Sequence, residues 1–164
     1  MTLTLMSKAA TFGIVAGIVM ATGAVAHEAG NLPNTPAGKA IKARHDNFKQ
    51  IGAANKAISD ELKKGAPDRK LIADNAAKLK TLTTQIPSWF PKGSGPESKL
   101  PTDAKPEVWT DPTKFSAAVN RAQLEVSRLQ QLAAAGDLDG LRGQSRAVGA
   151  SCKSCHESFR VPRN

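Results

Sequence analysis

The segment that decides the fold lies near the end of the chain, where residues 138–159 read LDGLRGQSRAVGASCKSCHESF. Its apolar and small side chains recur every three or four residues, which is the spacing of one face of an α-helix. Gly136 followed by Asp137 separates this segment from what precedes it, and Asp137 is a suitable helix cap. The predicted buried face comprises Leu138, Leu141, Ser145, Val148, Cys152, His156 and Phe159.

The first predicted helix begins at Pro36, with Thr35 as its cap. A threonine cap accepts a hydrogen bond from the first turn, and proline at the first position gives up no hydrogen bond. Gly65 and Pro67 are predicted to end this helix. Its predicted buried face comprises Ile41, Arg44, His45, Phe48, Ile51, Gly52, Asn55, Ile58 and Leu62.

The second and third helices follow from the same spacing. The second begins near Pro67 and is stopped by Pro87, whereas the third begins at Pro112 and is broken by Gly136. Their apolar faces comprise Leu71, Ile72, Leu79, Leu82 and Ile86 in the second helix, and Phe115, Val119, Ala122, Val126 and Leu129 in the third.

A long connection separates the second helix from the third. Prolines recur throughout residues 87–112, at a density from which we expect no helix. Trp89, Phe90 and Trp109 lie in this connection, and aromatic side chains in a loop usually pack it onto the domain. We therefore predict an all-α antiparallel four-helix bundle with a long proline-rich crossover between helices 2 and 3, which covers a site.

The first 26 residues are predicted to be a secretory signal peptide. Lys8 precedes an apolar run, and the small-x-small triplet Ala24-Val25-Ala26 is a suitable cleavage site. An uncleaved anchor is the alternative, although the run is shorter than the roughly 20 apolar residues of a membrane span. We expect export to the periplasm and a mature domain of residues 27–164. The three methionines all precede the cleavage point: Met1, Met6 and Met20.

The chain is basic, with a net charge of +9 over 164 residues. A basic balance suits nucleic acid, an anionic membrane or an acidic partner protein. Export argues against nucleic acid, and the positive charges are spread along the chain without an arginine-rich arm. We predict a solvated basic surface and no membrane contact after the signal peptide is removed.

The motif that carries the chemistry is Cys152-Lys153-Ser154-Cys155-His156, which contains the only two cysteines. In c-type haem attachment, two thiols at this spacing add to the haem vinyl groups and the adjacent histidine ligates the iron. Zinc would need four ligands, and a redox Cys-x-x-Cys pair normally begins a helix. A structural disulfide is a further alternative, but it leaves His156 without a role.

The run from Val148 to Arg160 closely resembles the end of the cytochrome c-prime family, the class II c-type cytochromes. Residues 41–52 resemble that family's first helix, and Lys105-Pro106-Glu107-Val108-Trp109 leading into Phe115 also fits. The resemblance implies one covalent haem c held between the helices, with His156 as proximal ligand.

The resemblance also implies roles for residues outside the attachment motif. Arg44 and His45 map onto positions that approach a haem propionate, although each could instead be a solvated side chain, and His45 could be a second axial ligand. Arg160 maps onto an arginine beside the proximal histidine, where it could contact a small ligand or restrain the imidazole. An exposed terminal arginine is the alternative for Arg160.

The sixth iron position decides the function. Methionine-ligated family members place that ligand four residues after the arginine, and the position here is Phe48, which cannot bind iron. We expect a five-coordinate high-spin iron behind an apolar lid, with ligation by His45 as the alternative. The expected function is electron transfer with a periplasmic redox partner, binding of small gases such as nitric oxide or carbon monoxide, or both. The alternative function is a dedicated gas-binding module without a role as an electron carrier. We predict no catalytic residue. The resemblance to the family also implies a possible homodimer through the first two helices.

Overall fold

The computed structural model describes residues 31–162, so the predicted signal peptide lies outside the described residues. Five α-helices follow one another in this range: α1 Pro36–Glu61, α2 Arg69–Gln85, α3 Glu107–Thr110, α4 Pro112–Ala135 and α5 Leu138–Phe159. The four long ones form the predicted bundle, in which α4 packs on α5, α1 on α2 and α2 on α4.

The helix ends follow the sequence signals closely. Thr35 accepts a hydrogen bond from the Gly38 N–H at 3.2 Å, and Asp137 accepts one from Gly140 at 2.9 Å. Gly136 ends α4 with φ of +68°, a left-handed conformation that favours glycine. The first helix, however, ends at Glu61, four residues before the predicted Gly65.

The crossover between α2 and α4 contains more helix than expected. Two 3₁₀ turns, Ile86–Trp89 and Pro96–Ser98, and the single-turn helix α3 lie within it, so the prediction of no helix there was wrong. Both 3₁₀ turns carry proline in the first turn, where its missing N–H costs no hydrogen bond and its fixed φ suits the turn. Proline therefore begins these short helices as well as ending longer ones.

Two apolar clusters hold the bundle together. One joins all four long helices through fully buried side chains such as Ile58, Leu79 and Leu129. The other packs the crossover against α4 and α5 through Trp89, Phe115 and neighbouring residues. Burial of each large side chain contributes about 1.5–3 kcal/mol. Between these clusters α1 and α5 make few direct contacts, and the space between them forms the site.

Across residues 31–162, none of the helices combines the length and the apolar character that crossing a membrane requires.

Candidate haem site

A cavity of about 460 Å³ lies between α1, α4, α5 and the crossover. This volume is within the range of small-molecule and cofactor pockets. Its walls are mainly apolar and aromatic, which suits a flat hydrophobic group. The apolar lining comprises Ile41, Phe48, Ile51, Ile86, Phe90, Ala104, Phe115, Val119, Ala122 and Phe159.

The α5 wall of the cavity carries the attachment motif. Cys152, Cys155 and His156 all line the cavity and are half-buried, and both thiols are free. Burial raises the pKa of the Cys155 thiol to about 11, with the neighbouring Cys152 adding to the shift, and burial also raises the pKa of Cys152. Redox-active pairs have lowered thiol pKa values, so this environment argues against a redox dithiol.

Zinc and haem iron differ in the number of ligands that the protein must supply. Within the part of the chain that the structure describes, no group of three or more His, Cys, Asp or Glu side chains is placed to hold a metal ion. Haem iron differs in that the porphyrin supplies most of its ligands, so a single histidine on the wall suffices. The α5 wall therefore fits attached haem better than the alternatives considered from the sequence.

The opposite wall is formed by α1. Phe48 is half-buried there, and its ring packs edge-on against Trp89 at 5.2 Å and Phe90 at 6.2 Å between centroids. Asn55 lies two turns further along the same wall, and its buried Oδ1 has no hydrogen-bond partner among the described residues. A buried amide oxygen without a partner indicates that this end of the cavity is completed by a group beyond the polypeptide.

Arg44 is the most buried charged side chain of the site, with 5% of its surface exposed. Burial lowers the pKa of the guanidinium to about 10, so it stays charged at neutral pH. Four of the five N–H donors that a guanidinium carries reach the crossover, where they meet the Trp89 carbonyl, the Ser94 hydroxyl and carbonyl, and the Thr102 hydroxyl. Among residues 31–162 this leaves the Nε–H group for a haem propionate, and that predicted contact stays a prediction.

His45 and Arg160 lie at the rim of the cavity. His45 Nδ1 is 3.4 Å from the neighbouring Asp46 carboxylate, and a third of the His45 side chain is exposed. Arg160 directly follows α5 and forms an antiparallel β-bridge with Ala104 of the crossover. In this bridge the Lys105 N–H donates to the Phe159 carbonyl at 3.0 Å, and the Val161 N–H donates to the Asp103 carbonyl at 2.8 Å. The crossover is thus fixed both to α1 and to the end of α5.

The seven residues predicted for the site all line this one cavity: Arg44, His45, Phe48, Cys152, Cys155, His156 and Arg160. The sequence did not reveal the crossover groups that hold Arg44. Ser94 in particular is 1% exposed, and a serine in a proline-rich loop gives no sequence signal of burial.

A covalent haem attachment motif on the last helix of a four-helix bundle, facing a largely apolar cavity, defines a bundle-type c-type cytochrome. The sequence profile described as cytochrome C' matches residues 39–160. The chain belongs to this family, whose members carry one covalent haem c with iron, and the cavity is where Cys152, Cys155 and His156 would hold it.

Individual relatives are similar to this chain in sequence and in structure over about three quarters of its length. The cytochrome c' of Alcaligenes xylosoxydans xylosoxydans is 36% identical over 122 residues, which cover 74% of this chain and 92% of the relative. Cytochrome c' from Rubrivivax gelatinosus has a solved structure with a TM-score of 0.69 and 30% identity, covering 76% of this chain and 96% of that one. A nitric oxide complex of a variant cytochrome c prime from Alcaligenes xylosoxidans gives a TM-score of 0.70 at 32% identity, covering 77% and 97%.

Proposed function

We propose that the protein is a periplasmic cytochrome with a five-coordinate, high-spin haem iron, which transfers electrons, binds small uncharged gases, or does both. It acts as a carrier or a binding module rather than as an enzyme. The observation that carries this proposal is Phe48 in the cavity wall opposite the α5 wall that bears His156. A phenyl ring cannot ligate iron, and residues 27–164 contain no methionine.

Different residues of the site would attach the haem, ligate its iron and shield it from water. Cys152 and Cys155 would hold it through thioethers, and His156 would ligate the iron from α5. When bound, the haem supplies an iron that changes between Fe(III) and Fe(II) and has an open coordination position. Phe48 and the adjoining aromatic rings would shield that position from water, and Arg44 would place a buried positive charge near a haem propionate.

His45 is the alternative sixth ligand, and its surroundings favour the five-coordinate state. Its side chain is a third exposed, and its Nδ1 faces the Asp46 carboxylate at the cavity rim. Ligation would require the imidazole to leave this rim and to pass Phe48, which packs tightly against Trp89 and Phe90. For this reason we rank a low-spin electron carrier, with His156 and His45 as its two iron ligands, below the five-coordinate cytochrome.

Gas binding is supported by the character of the cavity. An apolar distal wall admits small uncharged molecules and offers bound oxygen little hydrogen bonding. Nitric oxide complexes of variants of a related cytochrome c prime support the same assignment here. Electron transfer is supported by the basic charge balance, which suits docking to an acidic redox partner in the periplasm.

The optical spectrum of the purified protein tests the proposal. Ferric and ferrous spectra, each with and without carbon monoxide, separate a high-spin iron that takes up the gas from a low-spin iron that does not. A high-spin spectrum and carbon monoxide uptake by the ferrous form are expected. A low-spin spectrum in both oxidation states would contradict the five-coordinate assignment.

A further inference from the structure

Arg44 is held almost entirely by the crossover. Its Nη1 donates to the Trp89 carbonyl at 3.2 Å and to Ser94 Oγ at 3.1 Å, while Nη2 donates to the Ser94 carbonyl at 3.0 Å and to Thr102 Oγ1 at 2.8 Å. Ser94 is itself buried and its hydroxyl donates to the Pro91 carbonyl at 2.8 Å. The Arg44 side chain therefore connects α1 to three residues that are separated along the crossover: Trp89, Ser94 and Thr102.

The guanidinium also lies against the rings of the crossover. Its central carbon is 4.7 Å from the centroid of Phe90 and 5.8 Å from that of Trp109. A cation over an aromatic face is attracted by the ring, and more strongly when both are removed from water. Trp109 in turn donates from Nε1 to the Phe90 carbonyl at 3.1 Å. Arg44 thus fixes the position of Phe90 as well as that of the backbone.

Two of the residues that Arg44 holds, Trp89 through its carbonyl and Phe90 through its ring, also pack against Phe48. Both ring contacts of Phe48 within the described residues are with crossover aromatics, at 5.2 Å to Trp89 and 6.2 Å to Phe90. Phe48 and Phe90 also line the cavity. If the crossover moved away from α1, Phe48 would lose the packing that confines its ring.

We propose that Arg44 is a positioning residue for ligand access: by fastening the crossover, it makes Trp89 and Phe90 hold the Phe48 ring across the distal side of the haem. This inference rests on the proposed five-coordinate iron. It gives Arg44 a role that differs from contact with a propionate, because the role depends on the crossover acceptors as much as on the charge.

Ser94→Ala separates the two roles. It removes a hydroxyl that Arg44 uses and leaves the guanidinium in place, and Ser94 does not line the cavity. Arg44→Lys keeps the charge but loses the planar fork that reaches several acceptors. Ser88→Ala is the matched control, because Ser88 is an exposed serine of the same crossover whose hydroxyl donates only to the nearby Gln85 carbonyl.

Two measurements on the holoprotein test the inference. Trypsin cleavage after the exposed Lys92 and Lys99 reports opening of the crossover, and carbon monoxide association after flash photolysis reports access to the iron. Ser94→Ala and Arg44→Lys should speed cleavage roughly tenfold, the factor expected from losing a hydrogen bond to a charged group. They should speed gas association about threefold or more, and Ser88→Ala should change neither rate.

The same substitutions in a Phe48→Ala background give the decisive comparison. There Ser94→Ala should still speed cleavage but should no longer change gas association, because the ring that the crossover positions is gone. Faster cleavage with unchanged gas association in the presence of Phe48 would overturn the inference while leaving the proposed function intact. Failure of the wild-type ferrous protein to bind carbon monoxide would overturn the proposed five-coordinate, gas-binding iron and this inference with it.

Discussion

Phe48 is the residue whose replacement should change the properties of the iron site most directly. Phe48→Ala removes the ring from the α1 wall, so carbon monoxide should associate with the ferrous protein about tenfold faster or more, corresponding to a barrier lower by at least about 1.4 kcal/mol. Flash photolysis measures this rate. Phe48→Leu keeps apolar bulk and should remain closer to the wild type. Equal rates in all three proteins would mean that Phe48 does not limit access.

His45 supplies the complementary prediction at the same scale. Because its imidazole is partly exposed at the rim and adjoins Asp46, His45→Ala should leave the ferric iron high-spin. Electron paramagnetic resonance of the ferric protein distinguishes the spin states. A wild-type low-spin signal that becomes high-spin in His45→Ala would identify His45 as the sixth ligand and would favour electron transfer as the function.

The two cysteines predict how firmly the haem is held. In the wild type, extraction with acidified acetone should leave the colour with the polypeptide, because thioether bonds survive the acid. The double variant Cys152→Ala/Cys155→Ala should release its pigment under the same treatment, and each single variant should retain it through one bond. Intact-mass measurement checks each case. A wild-type mass equal to that of the bare polypeptide would contradict covalent attachment.

At the scale of helices, Glu61 connects the end of α1 to the start of α2. It is buried, and its carboxylate accepts hydrogen bonds from Lys64 Nζ at 2.6 Å and from the Asp68 N–H at 2.8 Å. Asp68 is the residue that caps α2. These two donors, Lys64 first, lower the pKa of Glu61 below its ordinary value. The ionised carboxylate therefore stabilises the turn between the helices.

The pH dependence of this connection follows from the sign of the shift. A carboxyl group with a lowered pKa in the folded protein stabilises it above the ordinary pKa of about 4.3, and this stabilisation is lost as the pH falls through the folded value. Glu61→Gln should lower the melting temperature by a few degrees at pH 7, and the difference should shrink steadily below about pH 4. Thermal unfolding followed by circular dichroism at several pH values measures it.

Asp74→Asn is a suitable control for Glu61→Gln. Asp74 also pairs with a lysine, Lys70 at 2.7 Å, but its side chain is 63% exposed. Exposed pairs of this kind contribute little, so the melting temperature should change by much less at pH 7. An equal loss in the two variants would mean that Glu61 acts as an ordinary surface charge.

The helices also show which features a sequence determines. The caps at Thr35, Gly136 and Asp137 were predictable because each depends on contacts within a few residues. The attachment motif was predictable because its chemistry requires a fixed local spacing. The partners of Arg44 were not, because Ser94 and Thr102 lie far along the chain and only the folded crossover brings them to α1.

At the scale of the whole molecule, the described surface offers little apolar area for association. The exposed large hydrophobic residues of residues 31–162 are Leu124 and Val161. Stable homodimers usually bury a strongly apolar interface. The exposed positions of α1 and α2 instead include many lysines, such as Lys42, Lys56 and Lys70. The expected homodimer through these helices stays a prediction.

The net charge gives a prediction that separates the two proposed functions. The predicted removal of the signal peptide takes Lys8 with it and gives an expected mature charge of about +8, so association with an acidic redox protein should be steered electrostatically. Reduction of the ferric protein by a reduced, acidic plant-type ferredoxin should slow at least about tenfold between 10 mM and 200 mM salt, because the Debye length falls from about 30 Å to less than 10 Å. Carbon monoxide binding to the ferrous protein is the control: the gas is uncharged, so its rate should not change with salt. Stopped-flow absorbance follows both reactions in the same buffers. If the reduction rate were as insensitive to salt as gas binding, the basic surface would have no part in docking and gas binding would become the favoured function.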